Sequence, residues 1–175
     1  MRLDLRRIIR HPSASVSRSY HEVIYLDREG VDVEVNGDVT ARNDGRMIIV
    51  HGTVSGTVVL RCSRCLKPTE CLVETEFEAE CEVRNFFAMA EGNYEGLDEE
   101  VTSIFDESTV DVTELTRQAL ILALPLQPLC SADCKGICPV CGADLNEGQC
   151  SCEPPKDPRW AKLEELLTKM RGKGQ

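Results

Sequence analysis

The clearest period in the chain is two. From residue 71 to 83, Cys71, Val73, Thr75, Phe77, Ala79, Cys81 and Val83 fall on one face, and Glu74, Glu76, Glu78, Glu80 and Glu82 fall on the other. Alternation over that length predicts an antiparallel strand with one buried and one solvated face. It also assigns Cys71 and Cys81 to the apolar face, as small core residues. Shorter stretches repeat the pattern. Leu3 and Leu5 among Arg2, Asp4 and Arg6 predict a strand over residues 1–9, followed by a loop at His11-Pro12. Residues 19–26 predict a second strand, and Val31, Val33 and Val35 a third, broken by Gly30 and by Asn36-Gly37. A short apolar run at 47–50 follows the Asn43-Asp44-Gly45 turn, and the strand at 54–60 leads straight into Cys62.

The period changes to 3.6 in two places. Asp111 with Glu114 three residues on has capping-box spacing, and Val112, Leu115, Ala119, Leu122 and Ala123 form an apolar stripe that ends at Pro125. Near the C-terminus, Asp157 and Pro158 open a helix whose stripe is Trp160, Leu163, Leu166, Leu167 and Met170. That stripe packs on its own chain or meets a partner. Between the last strand and the first helix, residues 86–109 are acidic, contain Gly92 and Gly96, and predict a long loop. The expected fold class is α+β: an antiparallel sheet or partly open barrel of about six strands with one packed helix, a small Cys-rich module and a C-terminal helix. The expected boundaries are 1–127 for the β-rich domain, with a knuckle at Cys62 and Cys65 and a helix near 111–124. The Cys-rich module takes 128–153 and the amphipathic helix 154–175.

Ten cysteines change this picture. Cys62 and Cys65 are two residues apart, as are Cys138 and Cys141, while Cys130, Cys134, Cys150 and Cys152 crowd the same C-terminal stretch. Pairs at such intervals let two thiolates converge on one tetrahedral ion, so the spacing predicts structural zinc, one or two ions. In Cys138-Pro-Val-Cys141-Gly142, Pro139 stiffens the turn and Gly142 can adopt φ > 0. The simplest division joins Cys62 and Cys65 to Cys130 and Cys134, and leaves Cys138, Cys141, Cys150 and Cys152 as a second site. The rival groups Cys130, Cys134, Cys138 and Cys141 locally, and spacing alone leaves both open. Four thiolates leave no open coordination position, and no histidine lies among them, so hydrolytic zinc chemistry is disfavoured. Asp133, Asp144 and Glu147 read as loop and turn residues, and His11, His21 and His51 are scattered. No catalytic residue is expected. A thioredoxin-type dithiol is also disfavoured, because Cys65 is followed by Leu66-Lys67-Pro68 and a strand rather than a helix.

A disulfide framework suits small secreted chains, and 175 residues exceed that size. The N-terminus has no apolar signal core and no stretch is long enough to span a bilayer, so the expected compartment is the reducing cytoplasm. The formal charge of −10 excludes a protein that coats nucleic acid with its whole surface. That charge is uneven. Residues 71–111 hold thirteen carboxylates against Arg84 alone, whereas residues 1–19 hold Arg2, Arg6, Arg7, Arg10 and Arg18 against Asp4. Arg2, Arg6, Arg7, Arg10 and Trp160 are therefore the candidate partner-binding residues, and the acidic stretch a candidate surface for a basic protein.

The motifs also form a known succession. Leu60-Arg-Cys-Ser-Arg-Cys-Leu66, Leu122-Ala-Leu-Pro-Leu-Gln-Pro-Leu-Cys130, Cys134-Lys-Gly-Ile-Cys-Pro-Val-Cys-Gly142, Asp144-Leu-Asn146 and Asp157-Pro-Arg159 with Leu163 stand in that order. The succession resembles the bacterial YceD family. That resemblance implies a non-enzymatic role in accumulation of large-subunit ribosomal RNA, with a large-subunit rRNA precursor or a large-subunit ribosomal protein as partner. It assigns no catalytic residues. A zinc-ribbon adaptor and a redox-sensing zinc protein outside the ribosome are the alternatives.

Overall fold

The structure, a computed structural model, describes residues 1–27, 30–153, 158–160, 162 and 166. The chain divides into two units. The first comprises Met1–Arg61 and Pro68–Pro128; the second comprises Cys62–Lys67 and the chain from Leu129 onward. The loop that carries Cys62 and Cys65 thus groups with the Cys-rich segment rather than with the sheet it interrupts.

The first unit is built on an antiparallel meander of β2 (Ser15–Leu26), β3 (Val31–Asn43), β4 (Met47–Arg61) and β5 (Pro68–Glu82), hydrogen-bonded in chain order. A smaller sheet places β7 (Thr109–Asp111) between β1 (Arg2–Asp4) and β6 (Phe105–Asp106). Both sheets are open, so the barrel alternative is not realised among the described residues. Period two works as the sequence implies. Val33, Val35, Val39 and Ala41 of β3, Ile48, Val50, Val54 and Val58 of β4, and Val73, Phe77 and Cys81 of β5 share one core, while the glutamates of β5 face outward. Cys71, on the same face, is half-buried.

The two interior strands are longer than the sequence suggests. Asn36-Gly37 does not break β3, and the runs at 47–50 and 54–60 belong to a single strand. The reason is cross-strand packing. Gly37 pairs with Tyr20 and Gly52 with Phe77. A Cβ on Gly37 would lie 2.5 Å from the Tyr20 ring, and one on Gly52 would lie 2.3 Å from the Phe77 ring. Each glycine leaves the volume that the opposite aromatic fills, which compensates for its missing side chain. The Tyr20 hydroxyl donates to Thr116 Oγ1 at 2.6 Å, and Thr116 in turn donates to the Val112 carbonyl at 2.7 Å.

Four helices accompany the sheets among the described residues, where one was expected. α1 (Arg6–Ile9) replaces the second half of the strand predicted over 1–9, because Ile8 and Ile9 both turn into the core. The buried Asn43 amide donates to the Ile8 carbonyl at 2.7 Å and ties α1 to the β3–β4 turn. The expected loop at 86–109 is instead taken up by most of α2 (Val83–Ala90), by α3 (Glu99–Ile104) and by the hairpin of β6 and β7, and Val83, expected on the strand, opens α2. Phe86 and Met89, one helical turn apart, bury from α2, and Phe86 packs edge-on against Phe105 with centroids 5.8 Å apart. α4 (Val112–Ala123) begins as expected: Asp111 Oδ1 accepts from the Glu114 N–H at 3.1 Å. Its buried stripe is Val112, Leu115, Thr116, Ala119 and Leu120. Leu122 is not part of it and is 86% exposed: the stripe keeps Val112, Leu115 and Ala119 but turns slightly toward Thr116 and Leu120, and Thr116 satisfies its hydroxyl internally. Of the C-terminal helix, Pro158–Trp160 form a 3₁₀ turn. Asp157, Leu163, Leu167 and Met170 lie outside the described residues.

Candidate metal centres

Among its described residues the second unit buries little apolar material. Its buried cluster consists of Cys62, Cys65 and Cys134, with Leu129 and Ile137 packed against it. What organises it locally is a turn that occurs twice. In Cys62-Ser-Arg-Cys65, the Cys62 N–H donates to the Lys67 carbonyl at 2.8 Å, and the Cys62 carbonyl accepts from Leu66 at 2.9 Å. In Cys138-Pro-Val-Cys141, the Cys138 N–H donates to the Ala143 carbonyl at 2.8 Å, and the Cys138 carbonyl accepts from Gly142 at 2.9 Å. In both turns the residue after the second cysteine has positive φ: +62° at Leu66 and +73° at Gly142. Glycine takes that conformation freely, whereas Leu66 is held there against its Cβ. The sequence hint at Gly142 thus had a hidden counterpart at Leu66.

These turns bring the thiols together. Cys62, Cys65, Cys130 and Cys134 form one group and Cys138, Cys141, Cys150 and Cys152 another, with the sulfurs of each group within 4.8 Å of one another. All ten cysteines are free thiols. Cys62 Sγ lies 3.8 Å from Cys134 Sγ, and Cys65 Sγ lies 3.5 Å from Cys130 Sγ. A disulfide would require about 2.05 Å. Four sulfurs about 2.3 Å from a central ion, tetrahedrally disposed, stand about 3.8 Å apart. The spacing therefore fits a shared cation. Cys71 and Cys81 lie in neither group.

The electrostatics point the same way. The N–H groups of Cys65 and Cys130 hold the Cys62 thiol down to about 6. The N–H groups of Cys141 and Val140 hold Cys138 down to about 6 as well. Their neighbours move in the opposite direction: the Cys65 and Cys134 side chains push Cys130 up to about 12, and the Cys141 sulfur pushes Cys152 up to about 12. In the first group, against the opposing effect of burial, Cys134 is also held down by the Asn146 amide and the Gly136 N–H, so local dipoles stabilise the first thiolates while the remaining thiols resist further charge. A cation at the centre removes that resistance. Either group could hold a metal ion, with four sulfurs as donors.

Around the first group lie supporting contacts that spacing could not reveal. The Arg64 guanidinium donates to the Cys134 carbonyl at 2.8 Å, and the Asn146 amide donates to Cys134 Sγ at 3.4 Å. The Lys67 ammonium sits 2.7 Å from Asp144 and 2.6 Å from Glu147. Asp144 and Glu147 thus join the Cys62 loop to the second cysteine turn. Such contacts orient ligands from behind. The only signal for them in the sequence was the dense polar punctuation of 144–147.

The partner candidates lie elsewhere. Arg2 is 3.6 Å from both Asp106 and Asp111, and Arg6 is engaged by Asp4. Arg7 and Arg10 are exposed and make no ion pair among the described residues. Trp160 is 62% exposed. No helix among the described residues is long and apolar enough to cross a membrane.

Comparison with known proteins adds an independent line. The family described as "Large ribosomal RNA subunit accumulation protein YceD" matches residues 50–167, a span containing all eight clustered cysteines. A Mycobacterium tuberculosis H37Rv protein called uncharacterized is 32% identical over 95% of this chain and 81% of its own length. A Zea mays protein named "Large ribosomal RNA subunit accumulation protein YCED homolog 1, chloroplastic" is 28% identical over 70% of this chain and 49% of its own. The Arabidopsis thaliana protein of the same name is 25% identical over 83% of this chain and 51% of its own. No solved structure matches.

Proposed function

The chain belongs to the YceD family, and from that premise we propose that it is a non-catalytic cytoplasmic factor supporting accumulation of large-subunit ribosomal RNA. Its two thiol groups would each hold a structural zinc ion. The observation that carries the reading is the pairing of family and geometry: the matched residues 50–167 include every cysteine of both four-sulfur groups. The relatives named for large-subunit rRNA accumulation supply the class of process. Four soft donors at tetrahedral spacing suit zinc and leave no coordination position for substrate, which favours a scaffold over an enzyme. Cys62, Cys65, Cys130 and Cys134 would hold one ion, and Cys138, Cys141, Cys150 and Cys152 the other. A large-subunit rRNA precursor or a large-subunit ribosomal protein is the partner.

Two measurements test this. Metal analysis of the purified protein should find two zinc ions per chain, one for each thiol group. Affinity purification from its own cells at moderate salt should enrich immature large-subunit rRNA with some of its proteins. Recovery of RNA polymerase without ribosomal material would replace the reading with a zinc-ribbon adaptor. Zinc loss with disulfide formation under mild peroxide, without ribosomal partners, would replace it with a redox sensor.

A further inference from the structure

Taking the rRNA reading as its basis, we propose that the groove between α1 and α2 binds an unpaired RNA segment, with Arg7 and Arg10 taking phosphates and Phe87 stacking on a base. The groove has a volume of about 440 Å³ and is lined in addition by Glu107 and Ser108 of the β6–β7 turn. That volume lies within the roughly 300–1,000 Å³ of sites for compact ligands.

Three features select a nucleotide. The first is charge. Arg6, Arg7 and Arg10 line the groove against Glu107 as its one carboxylate, in a chain whose net charge is −10. Arg6 is engaged by Asp4, but Arg7 and Arg10 are exposed and make no ion pair among the described residues, so both remain available to an anion. The second feature is an aromatic plane. Phe87 lines the groove and is 51% exposed, so one face of its ring is open to a ligand. The third is rigidity. Phe86, beside it in the chain, is 1% exposed and packs edge-on against Phe105, and Met89 of the same helix is fully buried. The Phe87 ring therefore stands on a fixed platform.

A half-exposed ring beside two unpaired guanidiniums matches a base linked to phosphates. Base stacking on an aromatic ring tolerates any sequence, and guanidinium–phosphate contacts add strength and register. An acidic peptide would use the arginines but leave the ring without a partner. An unpaired stretch is required because the bases of a duplex are stacked on one another and present no free face.

The test uses the full purified chain and labelled oligoadenylate and oligouridylate, followed by fluorescence anisotropy across a salt series. Wild type should bind both. Phe87→Ala should weaken binding by roughly 5-fold or more while leaving the salt dependence unchanged, and Phe87→Trp should restore it. The pair Arg7→Gln with Arg10→Gln should lower the slope of log affinity against log salt by about 1.4, two phosphates' worth for a single strand. The same charge removed outside the groove, by Arg42→Gln with Arg46→Gln, should leave that slope within half of this change. All four side chains and Phe87 are exposed, and unchanged thermal midpoints would show that folding is intact. The inference is overturned if the groove variants bind as wild type does, if wild type binds neither oligonucleotide, or if it binds an oligoglutamate peptide instead. Those outcomes leave the rRNA-accumulation reading standing. That reading fails separately, if the cellular purification recovers no large-subunit rRNA.

Discussion

The sheet unit and the thiol unit solve the same physical problem by different means. In the sheet unit, strands and helices contribute to one apolar cluster that runs from Leu3 and Leu5 through Val33, Val50 and Phe77 to Leu120. Its stability rests on non-directional burial that grows with size. The thiol unit buries Cys62, Cys65 and Cys134 with Leu129 and Ile137 beside them. The described residues of this unit offer little further apolar burial, and units this small usually rely on a staple. Its sulfurs sit at a spacing that fits a metal shell, and under the proposed zinc reading its structure would depend on a directional donor set. The two units should therefore fail under different insults.

Chelation is the harshest way to separate them. Removing zinc should abolish amide-exchange protection in the two cysteine turns, including the N–H groups of Leu66, Cys138, Gly142 and Leu145. Protection in β2–β5 should persist, as should the far-ultraviolet signal of the sheet. Acid should act in the same direction. The folded-state values of Cys62 and Cys138 lie near 6, below that of an ordinary thiol, so both favour the thiolate at neutral pH, and zinc content should fall in acid as protons compete for the sulfurs. Cys62→Ser should halve the zinc content, whereas Cys81→Ser should leave it unchanged. Simultaneous melting of the sheet on chelation would end the distinction between the units.

The same division explains what was legible in the sequence. The alternation from Cys71 to Val83 dictated β5, because a strand with one wet face writes its period directly into the residues. The capping pair Asp111 and Glu114 located α4 to the residue. The grouping of eight thiols away from Cys71 and Cys81 followed from spacing and face, although spacing alone left two partitions open. Geometry brings Cys62 and Cys65 to Cys130 and Cys134 although Cys62 and Cys134 stand 72 positions apart in the chain. What escaped was whatever depends on a partner distant in the chain. Gly37 and Gly52 look like breakers until Tyr20 and Phe77 are seen across from them. α2 buries through Phe86 and Met89 alone, too few positions in eight residues to declare a helical period. Leu66 has positive φ with no glycine to announce it, because the turn around Cys62 and Cys65 imposes it.

Within the sheet unit the largest single-residue effect should come from overpacking. In Gly52→Ala, the new Cβ would meet Phe77 Cζ at 2.3 Å and the Asp38 carbonyl at 2.9 Å, so ring and backbone must both yield. The expected loss is about 1–3 kcal/mol in urea unfolding. Phe77→Leu removes the ring that clashes, so Gly52→Ala combined with Phe77→Leu should cost less than the sum of the two single changes. Additive losses would show that the backbone clash with Asp38, rather than the aromatic–glycine pairing, dominates. Zinc content should be unchanged in all three variants, because none touches a thiol turn.

A smaller change isolates the purely local devices of the sheet unit. The Asp111 carboxylate accepts from the Glu114 N–H at 3.1 Å and also faces Arg2 at 3.6 Å, so its removal combines a cap with an ion pair. Asp111→Ala should destabilise the sheet unit by about 1 kcal/mol, the usual value of a lost N-cap. Asp111→Asn keeps an oxygen acceptor at the helix start while discarding the charge. An exposed ion pair of this kind contributes little, and Arg2 is 63% exposed at its side chain. The asparagine variant should therefore unfold within a few tenths of a kcal/mol of wild type. If asparagine were as damaging as alanine, the ion pair with Arg2 would be the stabilising contact, and the β1–β7 edge rather than the start of α4 would be the part of the sheet unit that Asp111 secures.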